Sequence, residues 1–228
     1  MPNHIQCRLT APANVLDSLK GETECDFNAV IPMPPELHVE AHAGIESAAQ
    51  RALLDFPAQH YIPDVRAAFD SGNFGSLADN LHLQNMMNTK ITPPPLTFKD
   101  GEWRMFIALL ENKRKHGHYS WYSWSIDNWG TKWNAYKVKR QNAQLLEFQT
   151  AWSAPFPVVT ALSFKSPGDR LTLEYADEDY GSNFGIVQFI GGTPAKVKIE
   201  NPGEFIRGLW AIPEDEWREM MADSEVQP

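Results

Sequence analysis

The sequence predicts an α+β fold built on a ferredoxin-like plait, the split β-α-β arrangement, with a mainly helical insertion and extra C-terminal strands. Three observations predict it. A period-two run and a short helical stretch open the chain, and a clear strand-helix-strand succession follows residue 144. Most of the stretch between them, from 36 to 117, carries helical spacing. Proline and glycine pairs punctuate the junctions. A chain of 228 residues suits one large domain or a domain with a sizeable insertion. It should bury roughly 70–75% of its unfolded surface, so the core needs no staples.

Asn3 to Thr10 reads as a strand, because Ile5, Cys7 and Leu9 alternate with Gln6, Arg8 and Thr10. Ala13 to Lys20 reads as a helix with Val15, Leu16 and Leu19 on one face and Gly21 as its stop. Cys25 to Ile31, with Phe27, Val30 and Ile31, reads as a second strand ended by Pro32, Pro34 and Pro35. Glu36 to Phe56, Asp64 to Ser71, Ser76 to Asn88 and Glu102 to Lys115 carry helical patterns. Trp103, Phe106, Ile107 and Leu110 form the inner face of the last, and Pro93-Pro94-Pro95 cannot continue a helix. After Gly117 the pattern turns to strands. Leu145 to Trp152, Arg170 to Asp177 and Phe184 to Ile190 are the clear ones, the last closed by Gly191-Gly192. A helix opens near Pro155 and Pro157 with Ser153 as its expected N-cap, and Pro167-Gly168 ends it. The tail holds a short helix near Pro213 to Met221 anchored by Trp217, and Ala222 to Pro228 is expected to fray. These elements divide the chain into a first β-α-β unit (1–35), a helical insertion (36–117), a second half of the plait with a Trp-rich segment (118–200) and a C-terminal extension (201–228).

Hydrophobic residues make up 43% and charged residues 21%, which excludes disorder of the whole chain. The net charge of −9 argues against a direct duplex binder, which needs Lys and Arg on phosphates. Lys113-Arg114-Lys115, with His116 and His118 beside it, reads as a helix C-terminus complementing its dipole. Cys7 and Cys25 do not make a disulfide framework, and buried free thiols are expected. No run approaches the ~18 apolar residues of a membrane span, and Met-Pro-Asn-His has no apolar signal region. A cytoplasmic protein without membrane association is expected, with its oligomeric state open.

Long, Trp-rich motifs go beyond composition. They are Asp26-Phe27-Asn28-Ala29-Val30-Ile31-Pro32-Met33-Pro34, Asn128-Trp129-Gly130-Thr131-Lys132-Trp133-Asn134-Ala135-Tyr136 and Phe148-Gln149-Thr150-Ala151-Trp152-Ser153-Ala154-Pro155, with Tyr175-Ala176-Asp177-Glu178 as a fourth. Together they resemble the YubB-like family of plasmid and phage proteins, whose C-terminal part is described as a ferredoxin-like domain. The resemblance implies the fold, a bacterial setting and a mobile element as source. It implies no reaction.

Trp121, Trp124, Trp129 and Trp133 fall within thirteen residues, interleaved with Asp127, Asn128 and Lys132. Indoles with polar groups between them make stacking sites for bases or flat ligands, and they also fill core corners. The candidate binding set is Trp124, Asp127, Asn128, Trp129, Lys132, Trp133 and Trp152. The reading is a non-enzymatic accessory protein that engages a host protein or small ligand there. A metal-dependent enzyme acting on a nucleotide or nucleic acid is the alternative, with Asp127, Asp177, Glu178 and Asp179 on the ion and Lys132 stabilising charge. The acidic run equally suits a polar loop with Tyr180, Gly181, Ser182 and Asn183. A third reading is an acidic mimic of nucleic acid, which the net charge permits. His38, His42 and Glu46 share a helix face, without the zinc-protease pattern. Ser153 has no His near it in sequence to act as base. The glycines lack the Lys and Ser/Thr of a P-loop, and no Cys-x-x-Cys occurs. No catalytic residue, metal ligand or cofactor is therefore assigned.

Overall fold

The computed structural model describes residues 3–40, 43–53, 62–84 and 101–224. His42, Pro93–Pro95, the ends of the helices expected to run to Phe56 and Asn88, and the last four residues lie outside them. The chain forms two compact units: Met1–Pro32 together with Ser125–Pro228, and Met33–Trp124.

In the first unit six strands form one antiparallel sheet: β1 (His4–Thr10), β2 (Tyr136–Asn142), β3 (Leu145–Ala151), β4 (Arg170–Asp177), β5 (Phe184–Ile190) and β6 (Thr193–Val197). The order is β2-β3-β1-β4-β5-β6. The first four strands, with one helix after β1 (α1, Ala13–Asp17) and another between β3 and β4 (Phe156–Lys165), make the ferredoxin-like plait. β5 and β6 extend it as a meander. Alternation sets the core face. Ile5, Cys7 and Leu9 pair with Thr150, Phe148 and Leu146 on one side. On the other they pair with Asp177, Tyr175 and Leu173. Ile5, Cys7, Leu9, Leu146 and Phe148 are all essentially sealed from solvent. Each such large side chain stabilises by about 1.5–3 kcal/mol. Gln6, Arg8, Glu147 and Glu174 take the other face, where Arg8 bridges Glu147 at 3.1 Å and Glu174 at 3.7 Å.

The segment Cys25–Ile31 is not a strand. It forms a 3₁₀ turn at Phe27–Ala29, with the Asp26 carboxylate capping Asn28 N–H at 3.0 Å. The plait's second strand is Tyr136–Asn142, more than a hundred residues later. The physical reason lies in Asp26 and Asn134. Asn134 donates to Asp26 at 2.7 Å and accepts from Phe27 N–H at 2.9 Å. These bonds commit the Phe27 backbone to Asn134, and Pro32 and Pro34 offer no donors for a ladder. Glu22 N–H also donates to Asp26, at 3.1 Å. Nearby, Trp129 Nε1 donates to Ile31 O at 2.9 Å and its ring meets Phe27 edge-on at 5.9 Å.

The second unit is helical: α2 (Ala43–Leu53), α3 (Pro63–Ser71), α4 (Gly75–Ala78) and α5 (Glu102–His116). The helix expected from Glu36 is instead a 3₁₀ turn at Pro35–Leu37 followed by α2. Trp103, Phe106, Ile107 and Leu110 of α5 are buried, as their spacing predicts. Trp103 stacks on Phe106 at 5.1 Å and donates its indole N–H to Leu77 O. The basic run does complement helix ends. Lys113 caps Gly117 O at 2.6 Å, and Arg114 reaches Phe69 O and Asp70 O at the end of α3.

Helix α6 (Trp121–Trp129) occupies the segment where strands are expected after Gly117. Trp121, Trp124, Ser125 and Asn128 recur at three- and four-residue intervals, a helical period. Helix α7 (Phe156–Lys165) starts at Pro155 without a side-chain cap, so Ser153 is not its N-cap. Pro155 and Pro157 carry no N–H, which leaves a cap fewer donors to satisfy. Two further helices close the chain, α8 (Pro202–Trp210) and α9 (Glu214–Ser224). α9 continues through Ala222, where fraying is expected, because its Trp217 packs with Tyr180 and Trp210 around buried Ala176, Ile206 and Leu209. Asn201 caps α8: its side-chain oxygen accepts Glu204 N–H at 3.2 Å, and its amide donates to the Glu204 carboxylate at 3.2 Å.

Cys7 and Cys25 are buried free thiols. Burial pushes the Cys7 thiol up to about 12, against a weak contact with Thr150, and pushes Cys25 up as well. At about pH 8, near a free thiol's own pKa, neither should react with a disulfide reagent until the chain is unfolded in guanidinium. Rapid labelling of the folded protein would contradict this burial. The Asp26–Asn134 pair carries a second expectation. Burial alone would raise the Asp26 pKa, but bonds from Asn134, Glu22 and Asn28 outweigh it and hold the carboxyl below the ordinary range. Its stabilisation is therefore complete above the unfolded value of about 3.9 and lost as pH falls through the lower folded value. Asp26→Ala and Asn134→Ala should each cost about 2–4 kcal/mol in urea unfolding, with the double variant costing clearly less than their sum. Strict additivity would show that the two side chains act separately.

Candidate functional site

A cluster of aromatic and charged groups, partly or fully exposed, lies where β1 begins, β3 ends and β4 ends. Thr131 builds its frame. Its hydroxyl donates to Ala151 O at 2.7 Å and accepts Ala151 N–H at 3.1 Å. Lys132 N–H reaches the same Ala151 O at 3.3 Å, and Ser125 holds Lys132 O at 2.6 Å. Gly130 makes this approach possible: at φ +78° it takes the left-handed region, and a Cβ there would lie 2.7 Å from Pro157 Cδ. The turn after α6 is thus clamped to the last residue of β3.

From that frame Lys132 projects its ammonium 4.9 Å from the Trp133 ring and 4.7 Å from the Trp152 ring. Both distances are inside cation–π range. Trp152 is 40% exposed and sits at φ +74°. A bulky residue in that region stores strain, of order 1–3 kcal/mol, and such strain persists only where surroundings over-determine it. Here Trp152 N–H donates to Asn3 O at 2.9 Å, and Asn183 donates to Trp152 O at 3.3 Å.

Two residues absent from the sequence-based set join this cluster. His4 Nδ1 lies 2.5 Å from the Tyr136 hydroxyl, which itself donates to Thr150 O at 3.0 Å. That chain of bonds requires Nδ1 to carry the proton. Burial, then Glu178 and Cys7, pushes the Tyr136 phenol up to about 12, so it stays neutral. Tyr136 also meets Trp133 edge-on at 6.4 Å. Period-two alternation places His4 on the polar face with Gln6 and Arg8, and Tyr136 closes the second motif. Those were the available signals. Only strand pairing shows that they meet.

The remaining expected residues separate. Trp129 is sealed in the core, and Trp124, also buried, belongs to the helical unit. Both are spent on packing and neither offers a ring to a ligand. Asp127 and Asn128 sit on the last turn of α6, the first exposed and the second half-buried. Lys132, Trp133 and Trp152 are the part of the set that the fold brings together. The acidic run is a structured loop. Asp177 is buried and accepts from Asn3 at 3.3 Å, Asp179 N–H at 2.9 Å and Asn183 at 3.2 Å. Glu178 exchanges backbone and side-chain bonds with His4. Among the described residues no group of three or more His, Cys, Asp or Glu is placed to hold a metal ion. Also among them, no helix is long and apolar enough to cross a membrane.

Residues 128–216 match a family model described as the ferredoxin-like domain in Api92-like protein. The match begins at the Trp-rich turn and takes in β2 to β6, so it contains Lys132, Trp133 and Trp152. No curated protein matches. Among solved structures, the crystal structure of a protein api92 from Yersinia pseudotuberculosis is 11% identical, covers 88% of this chain and 100% of its own, and has a TM-score of 0.39. The family model is that of Api92-like, not YubB-like, proteins, and what it supports is the ferredoxin-like fold of this segment.

If Trp152 is held in its strained conformation by its neighbours, replacing it with a residue that tolerates positive φ should not harm the fold. Trp152→Asn is expected to leave thermal unfolding unchanged or raise stability by up to about 1 kcal/mol. A loss of more than about 2 kcal/mol would mean the indole is a packing element instead.

Proposed function

We propose that this chain is a non-enzymatic binding module that engages a host protein or small ligand through Lys132, Trp133 and Trp152. The observation that carries the reading is the Lys132 ammonium set between two indole faces, with Trp152 exposed and held at φ +74°. An exposed aromatic face with a cation against it suits a planar or anionic group on the partner. Backbone strain kept at an exposed aromatic residue is the kind of feature that binding sites retain. The setting in a bacterial mobile element rests on the YubB-like motifs. The metal-dependent alternative finds less support, because the Asp177 carboxylate is already bonded to Asn3, Asn183 and the Asp179 N–H.

The test uses a Lys132→Ala/Trp152→Ala variant, which spares the buried Trp129. Partners captured by the wild-type chain from bacterial lysate should fall at least about tenfold with the folded double variant, as expected when an aromatic anchor and its charge are removed together. A folded variant that keeps every partner would remove this site from consideration.

A further inference from the structure

A cavity lies on the core face of the sheet, beyond the part that belongs to the plait. β5 and β6 extend the sheet past β4, and α7 leaves a cleft of about 400 Å³ above them. Val187 and Phe189 form its buried floor. Phe156 walls it, meeting the Tyr175 ring edge-on at 5.1 Å, and Thr160 adds a hydroxyl from α7. Lys196 stands at its rim on β6, whose five residues are all exposed. The volume falls within the ~300–1,000 Å³ of small-molecule sites, which are apolar with a few placed polar groups.

The charge pattern selects the ligand. No acidic residue lines the cleft. Among the described residues no carboxylate pairs with Lys196. In a chain of net charge −9, that leaves an apolar trough with one cation at its mouth. We propose that this cleft binds a small amphiphile with an apolar body and a single carboxylate, the carboxylate meeting Lys196.

The edge strand argues for a small molecule over an added peptide strand. Gly191 and Gly192 join β5 to β6 at φ +55° and +79°, a two-residue turn that glycine adopts without strain. Such a turn makes Ile190 and Thr193 a hydrogen-bonded pair. Alternation along β6 then points the backbone of Pro194 and Lys196 outward. Pro194 has no N–H, so the outward edge is poor in donors for a further strand.

The experiment titrates the full chain with decanoate, decanol and decyltrimethylammonium, each below its micelle-forming concentration, by calorimetry and amide chemical-shift mapping. Decanoate should bind and shift Thr160, Val187 and Phe189, with the neutral and cationic analogues weaker by at least about tenfold. Lys196→Glu should abolish the preference for the carboxylate. Thr160→Trp should fill the mouth and weaken decanoate to the same degree. Equal binding of the three amphiphiles, shifts confined to other residues, or an unchanged decanoate affinity in Lys196→Glu would each overturn the proposal. Should Thr160→Trp fail to fold by circular dichroism, the exposed Lys196→Glu decides alone. The Lys132→Ala/Trp152→Ala variant should bind decanoate as wild type does, which separates this cleft from the aromatic site. Loss of decanoate in that folded variant would also overturn the assignment to the cleft.

Discussion

The hydrogen-bonded pair Asp26–Asn134 is the constraint on which the sheet-bearing unit depends. The chain leaves that unit after Pro32 and re-enters it at Ser125, so a plait strand must be found far from the helix that precedes it in sequence. Asn134 uses both ends of its amide for this. It donates to Asp26, and its oxygen accepts N–H groups from Phe27 and Ala135. With the Trp129 indole on Ile31 O, these bonds bring the outgoing and returning backbone together. Once Asn134 is placed, Tyr136 starts β2 beside β3, and the plait closes. The first two motifs that give the chain its family resemblance are the two halves of this latch. Their Trp and Asn residues are there first to close a sheet interrupted by a long insertion.

The same latch explains why the aromatic cluster lies at the sheet end. The turn from Gly130 to Asn134 is tied to Ala151 by Thr131 and to the 3₁₀ turn by Asn134. Lys132 and Trp133, between those ties, cannot join the core and must project. Trp129, one turn earlier on α6, faces inward and is consumed. Trp129 and Thr131 are thus buried and Lys132 and Trp133 half-buried within five residues of one motif. Trp152 is presented from the other side by the loop that Asp177 and Asn183 organise. Carboxylates that look like ion ligands in the sequence instead hold backbone donors, a common fate of Asp in tight loops.

Four strands were legible because their side chains alternate against a buried face. β1, β3, β4 and β5 all show it. β2 was hidden, since Lys137, Lys139 and Arg140 make it polar on an edge and its pairing is interrupted by bulges. β6 was hidden for a related reason: all its residues are exposed, and Pro194 argues against a ladder. The Asn-Pro-Gly-Glu run at Asn201 to Glu204 has the residue order of a capped helix start, and reading it that way would have found α8. Strands are expected after Gly117, whereas the spacing of the buried positions Trp124, Ser125 and Trp129 is helical.

The sequence by itself determined the class of the fold, the core face of the main strands, the helical character of the middle region and the presence of an unusual aromatic-polar segment. These follow from periodicity and composition, which act locally. Only the tertiary structure decided which distant segment supplies the plait's second strand, which indoles are buried and which one faces Lys132. Those outcomes rest on bonds between residues about a hundred positions apart, such as Asp26 with Asn134. A local pattern carries no record of a partner that distant, because nothing in the spacing of one segment encodes the register of another.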